Sequence, residues 1–169
     1  MHARSLALME GLLRKYLDVE QSLRILDVGS FDINGTYRPL VNSLSDKWTY
    51  VGADLNAGPN VDLVLSAPYN WDIGTASYDV VLCGQVLEHT EFPWEVFREI
   101  VRVTKFGGTI LMVHPASGPE HKFPLDCWRI LSDGYRALAK YTGVEVLEVS
   151  TDWGTKWCDT AGAFRKRDE

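Results

Sequence analysis

Two carboxylates stand where apolar runs stop. Asp27 closes "RILD" ahead of Val28, Gly29 and Ser30, and Asp54 closes "WTYVGAD" ahead of Leu55. A turn needs the glycine; it has no need of the acid beside it. An acid at the end of a second strand, 25 residues beyond Gly29, can accept hydrogen bonds from both hydroxyls of a ribose. A helix cap or a surface acid is the plainer account of Asp54. Gly29 either lets a ligand approach the backbone where a Cβ would collide, or is an ordinary turn glycine. Asp27 could hold a cation or an amine, directly or through water.

Missing motifs narrow the ligand. The dinucleotide fingerprint G-x-G-x-x-G is absent: Ser30 and Phe31 follow Gly29. A bulky Phe31 works against close backbone packing around a diphosphate, and Asp27 would repel one. No P-loop is present either. The pocket these residues describe takes a ribose without phosphates, with room for positive charge.

A second group could handle an acceptor. His89, His114 and His121 are the candidate general bases. His89 follows the fourth strand and could equally brace the next helix. His114 ends the fifth strand, facing the expected cleft, or is a satisfied histidine near a turn. "HKFPLDCWR" brings His121, Asp126, Trp128 and Arg129 into one loop. Arg129 and His121 could hold an anionic or hydroxylated substrate, and Trp128 could stack on a ring. The alternative is that Asp126 and Arg129 pair to fix the loop while Trp128 packs in the core. Trp153 and Trp157 read as core or lid.

The elements that must carry these residues follow from periodicity. Leu6, Met9, Leu12, Leu13 and Leu17 predict an amphipathic helix over residues 3–17. "LRILDVG", "WTYVGADL", "VDLVLS", "SYDVVLCGQ", "TILMVHP", "VEVLEVSTDW" and "TAGAFRKR" read as seven strands, the last at the sheet edge. Helices are expected after Asn34-Gly35 with Pro39 in the first turn, over "PWEVFREIVRVTK" until Phe106-Gly107-Gly108 stops it, and over "SDGYRALAKYTG", capped by Ser132 or Asp133 and ended by Gly143. Strands alternating with helices imply parallel pairing, and the close spacing of the last two strands allows one antiparallel pair. The fold class is α/β: a Rossmann-like three-layer sandwich in one domain over 1–169, with the first 20 residues as a helix packing on the core.

In such a sheet ligands bind beyond the carboxyl ends of the strands. Those ends are Asp27 to Ser30, Asp54-Leu55, Ser66-Ala67, Cys83-Gly84-Gln85 and His114-Pro115. The 169 residues carry a net charge of -6, which argues against general nucleic-acid binding. Cys83, Cys127 and Cys158 are scattered and read as free thiols, so no metal is expected. No window is long enough to span a bilayer, and the cytoplasm is the default.

The motifs "ILDVGS", "YVGADL", "SYDVVLCGQVLEH", "FREIVRVTKFGG" and "HKFPLDCWR", in this order and spacing, resemble the class I methyltransferases that use S-adenosylmethionine, in particular the type 11-like group. The resemblance runs from Leu23 to Phe164. It implies a seven-stranded sheet with its last strand antiparallel, and S-adenosylmethionine as cofactor. Asp27 and Gly29, with Ser30, would border the methionine end. Asp54, with Leu55, would take the ribose, Ser66 and Ala67 the adenine, and Gln85 the methionine portion. Phe31 stands where the family has a second glycine, and Ser66 where many relatives have an acid. "SAPY" (residues 66–69) resembles the signature of amino-methylating enzymes but follows the wrong strand.

The expected activity is methyl transfer to an oxygen of a small molecule: a sugar, lipid precursor or metabolite. The acceptor would bind in short loops, at a homodimer interface or on a partner. The rivals are a non-catalytic S-adenosylmethionine-binding accessory subunit and a nicotinamide-dependent oxidoreductase. The latter lacks both its glycine triplet and a Tyr-x-x-x-Lys pair.

Overall fold

The structure is a computed structural model that describes residues 2–168. Its strands are β1 (Leu23–Val28), β2 (Trp48–Asp54), β3 (Leu63–Val64), β4 (Tyr78–Gly84), β5 (Thr104–Pro115), β6 (Glu145–Thr151) and β7 (Asp159–Arg165). The helices are α1 (Ala3–Tyr16), α2 (Arg38–Leu44), α3 (Pro93–Val103) and α4 (Ser132–Thr142), with a single 3-10 turn at Leu87–His89.

One seven-stranded sheet runs in the order β3-β2-β1-β4-β5-β7-β6. Strands β1 to β5 pair in parallel, and β7 is antiparallel to both β5 and β6. The antiparallel strand thus lies one place in from the edge, and β6 holds the edge itself. The small residues Ala161, Gly162 and Ala163 suit β7 to that covered position: a Cβ on Gly162 would stand 2.7 Å from the Tyr135 ring.

β1, β4 and β5 are central and buried along their carboxyl-terminal halves, because helices cover both faces. Met9, Leu12 and Leu13 of α1 and Val41 of α2 pack on one face with Ile25, Val80 and Leu82. Phe97 and Ile100 of α3 and Tyr135 and Ala139 of α4 pack on the other with Leu26, Val81 and Cys83. Neighbours along β4 alternate between the two cores, as a period of two requires.

Two boundaries differ from the sequence reading. Phe106-Gly107-Gly108 does not stop α3; the helix ends at Val103 and β5 starts at once. The register shift between Tyr78↔Thr104 and Val80↔Thr109 absorbs these residues as a bulge, with Gly107 at φ 69°. Neither Ser132 nor Asp133 caps α4: the cap position is Leu131, without a side-chain bond, and the Ser132 hydroxyl lies 2.8 Å from that of Thr151. Gly143 does end α4, in the left-handed region at φ 77°. Among the described residues no helix is long and apolar enough to cross a membrane.

Candidate active site

The strand order reverses between β1 and β4, so the carboxyl ends of β1, β2 and β4 converge on one crevice. Asp54 ends β2 half-buried. Its Oδ2 accepts the Phe31 amide at 3.3 Å and its Oδ1 the Asn56 amide at 3.0 Å. Each carboxylate oxygen has two lone pairs, so both can take a further donor. Leu55 beside it is 47% exposed, an apolar face laid open next to the acid. Ser66 lies exposed and Ala67 half-buried in the loop after β3.

The turn after β1 is organised from within. Asp27 is buried and accepts a short hydrogen bond from the Tyr50 hydroxyl. Burial pushes its carboxyl up to about 7, against the opposing pull of that bond. Asn60 donates to the Ser30 carbonyl at 2.8 Å, the Thr36 hydroxyl at 2.5 Å and the Tyr50 hydroxyl at 3.0 Å. Arg38 donates to Asn60 Oδ1 at 2.6 Å, pairs with Asp62 and stacks over the Tyr50 ring at 4.5 Å.

Three of the expected cofactor residues are engaged within the protein. Asp27 meets a tyrosine rather than facing the crevice openly. Ser30 is buried, with its hydroxyl donating to the Asn60 carbonyl at 3.2 Å. The space over Gly29 belongs to the protein: a Cβ there would stand 2.2 Å from Val86 Cγ2, and its φ of 77° already favours glycine. Phe31 does not fill the place over Gly29 either; it lies against Gly58, where a Cβ would stand 2.2 Å from its ring.

Gln85, after β4, sits at φ 58° under the start of α1. Its amide faces Val113 O and Asp159 Oδ1, both at 3.3 Å, and Ser5 Oγ at 3.5 Å. His2 Nε2 lies 3.0 Å from Asp159 Oδ2, so the first turn of α1 closes this side of the crevice.

His114 is the clear misplacement. It is fully buried, with Nδ1 2.6 Å from the Tyr135 hydroxyl and Nε2 3.7 Å from Cys83 Sγ. Burial holds its imidazole down at about 3, so it stays neutral in the core and cannot reach an acceptor.

His89 and His121 do come together, with ring centroids 5.0 Å apart. The loop over residues 119–129 folds onto the 3-10 turn: Cys127 N donates to Glu88 O at 2.6 Å, and Trp128 Nε1 donates to Thr90 O at 2.9 Å. His89 Nδ1 lies 2.6 Å from Leu125 O, which makes it the protonated nitrogen and leaves Nε2 with a free lone pair. Burial lowers the pKa of His89 from its ordinary value.

Asp126 and Arg129 pair through both oxygens, at 2.6 and 2.8 Å, and Asp126 Oδ2 also accepts the His121 amide at 2.7 Å. The Arg129 guanidinium holds the Asp126 carboxyl well below the usual carboxylate range. This pair fixes the loop, the alternative left open by the sequence. Trp128 is 40% exposed rather than core, edge-on to Trp94 at 6.2 Å. Trp157 covers His121 with rings 4.7 Å apart, while Trp153 is exposed.

Glu88 is a further polar residue of this wall, absent from the sequence-predicted set. It is fully buried, both carboxylate oxygens lack a hydrogen-bond partner, and burial pushes it up to about 8. Its only signal was its place beside His89 in "VLEH".

The polar groups fit a nucleoside that carries no phosphate: Asp54 offers acceptors for a ribose, and the nearby cation Arg38 is engaged by Asn60 and Asp62. This crevice, on this sheet order, is that of a class I methyltransferase. The family described as "Methyltransferase domain" (type 11) matches residues 26–112, just over half of the chain, and the chain belongs to it. The cofactor of this family is S-adenosylmethionine. An uncharacterized methyltransferase of Mycolicibacterium gilvum is 30% identical over 100 residues, 52% of this chain; the match spans 39% of that relative's length. Among solved structures, a 1,6-didemethyltoxoflavin-N1-methyltransferase of Burkholderia thailandensis superposes with a TM-score of 0.74 at 15% identity, over 97% of this chain and 79% of that one. A SAM dependent methyltransferase of Aquifex aeolicus gives 0.70 at 14% identity, over 96% and 93%. At such identities the two structures speak to the fold alone.

Proposed function

We propose that the protein transfers the methyl group of S-adenosylmethionine to an oxygen of a small molecule. The observation that carries this reading is Asp54: a half-buried carboxylate at the end of β2 with acceptor capacity on both oxygens, beside an exposed apolar Leu55. Asp54 binds and orients the ribose, Leu55 with Ser66 and Ala67 borders the base, and Gln85 stands at the methionine end. When bound, the cofactor supplies a methyl carbon on a cationic sulfur: the carbon–sulfur bond breaks as a carbon–oxygen bond forms, and sulfur keeps the electron pair. The acceptor's hydroxyl proton must leave; the Nδ1 contact with Leu125 O, which leaves a lone pair on Nε2, supports His89 as the base that takes it. The Asp126–Arg129 pair holds the loop that brings His121 and Trp128 to this wall, and Trp128 offers a face for a ring or sugar.

Phe31 on Gly58 and the buried Ser30 favour a second reading, a subunit that binds the cofactor without turning it over. Calorimetric titration with S-adenosylmethionine and Asp54→Ala decides the first step. Loss of the charge-assisted hydrogen bonds should weaken binding at least about tenfold; unchanged affinity would remove Asp54 from the cofactor site. Radiolabelled methyl transfer to a panel of hydroxylated acceptors then separates enzyme from binding subunit.

A further inference from the structure

We propose that Glu88, His89 and His121 form a binding site for one divalent first-row metal ion, of the zinc or cobalt type, in the acceptor wall. One ligand-capable atom of each residue lies within 4.8 Å of the other two. Donors around a tetrahedral ion at 2.0–2.2 Å stand about 3.2–3.6 Å apart, so the side chains close by roughly one ångström to grip it. The donor set of two imidazoles and one carboxylate suits these borderline ions and is poorly matched to calcium or magnesium.

Three features argue for an ion rather than a chance cluster. Glu88 is 0% exposed, and neither carboxylate oxygen has a hydrogen-bond partner; Oε1 points at the cluster, 3.7 Å from His89 Nε2. An unpartnered buried carboxyl is costly, and a cation between it and the imidazoles would remove that cost. His89 is set as metal-binding histidines are set: Nδ1 is tied to a backbone carbonyl, Leu125 O at 2.6 Å, and Nε2 is left for the ion. His121 follows the same pattern, with Nδ1 3.3 Å from Pro119 O and 3.5 Å from Asp126 Oδ2. The scattered cysteines carry no metal-site spacing; this set is built instead from a 3-10 turn and a loop 32 residues further on.

The ion's role beside the acceptor rests on the methyl-transfer reading; its binding does not. A hydroxyl drawn to a divalent cation loses its proton more readily. With the ion held, both imidazoles serve as ligands and the proton passes to solvent water, so activation of the acceptor moves from His89 to the metal.

The test is calorimetric titration of the tag-free, chelator-stripped full chain with zinc chloride, without S-adenosylmethionine or acceptor. One ion per chain is expected, with affinity falling at least about a hundredfold in Glu88→Gln and in His121→Ala. His121 is partly exposed, so its variant remains informative if Glu88→Gln fails to fold. Cobalt(II) substitution should give a spectrum without thiolate charge transfer, and Cys127→Ser should bind as the parent does. No one-to-one binding, binding unchanged in His121→Ala, or binding lost in Cys127→Ser would overturn the site. Failure of the methyl-transfer reading would appear instead in the S-adenosylmethionine titration.

Discussion

The effect of replacing Asp27 by Asn on stability should depend steeply on pH. The wild-type carboxyl is 3% exposed and accepts from the Tyr50 hydroxyl. Burial holds it at about 7 rather than the ordinary 3.8, a gap of about three pKa units. At 1.36 kcal/mol for each, that amounts to about 4 kcal/mol. The folded state binds this proton more tightly than the unfolded chain does. The group's contribution is therefore fully present below about pH 4, and is lost as the pH rises through 7. Asn carries no such proton, yet its Oδ1 can still accept from Tyr50. Relative to wild type, Asp27→Asn should gain about 4 kcal/mol between pH 4 and pH 8, whatever fixed offset the substitution brings. Urea denaturation of both ligand-free proteins at matched pH values measures the difference, and the other titrating groups cancel. Parallel curves would show that Asp27 does not retain its proton on folding. Wild type gaining on the variant as pH rises would mean that Asp27 is ionised in the native state and stabilised by the charge of Arg38.

Two further substitutions test the frame of the site. Gly29→Ala should cost about 2–4 kcal/mol in chemical denaturation, since it combines a left-handed φ with a clash on Val86; adding Val86→Ala should recover only the steric part. Tyr135→Phe leaves His114 Nδ1 without its buried partner and should destabilise by about 1–3 kcal/mol, while S-adenosylmethionine affinity measured by calorimetry stays as in the parent.

The general plan of the molecule was legible because it rests on local signals. Apolar runs identify β1, β4 and β5 as central strands, and acids at strand ends fall where the sheet order reverses. What escaped depends on contacts between distant segments. Tyr50 reaches Asp27 across the β1–β2 pairing, and Val86 reaches Gly29 from the end of β4. His114 illustrates a different limit: Ile110 to Pro115 are all buried, so alternation carries no information about which face meets a ligand. The hairpin signal between β6 and β7 is the same whichever strand lies inside. Glu88 carries no signal of its own because nothing nearby in sequence announces the loop that buries it.

The insertion of β7 next to β5 has a practical consequence for handling the protein. Because β7 runs against β5, Asp159 lies at the ligand end of the sheet, opposite Pro115, and Arg165 pairs with Thr109 towards the far end. His2 Nε2 lies 3.0 Å from Asp159 Oδ2, so a label carried on His2 would stand over the mouth of the crevice. Arg165 is exposed at the opposite pole. A surface-immobilisation linker attached through a cysteine introduced at position 165 would therefore leave ligand entry unobstructed.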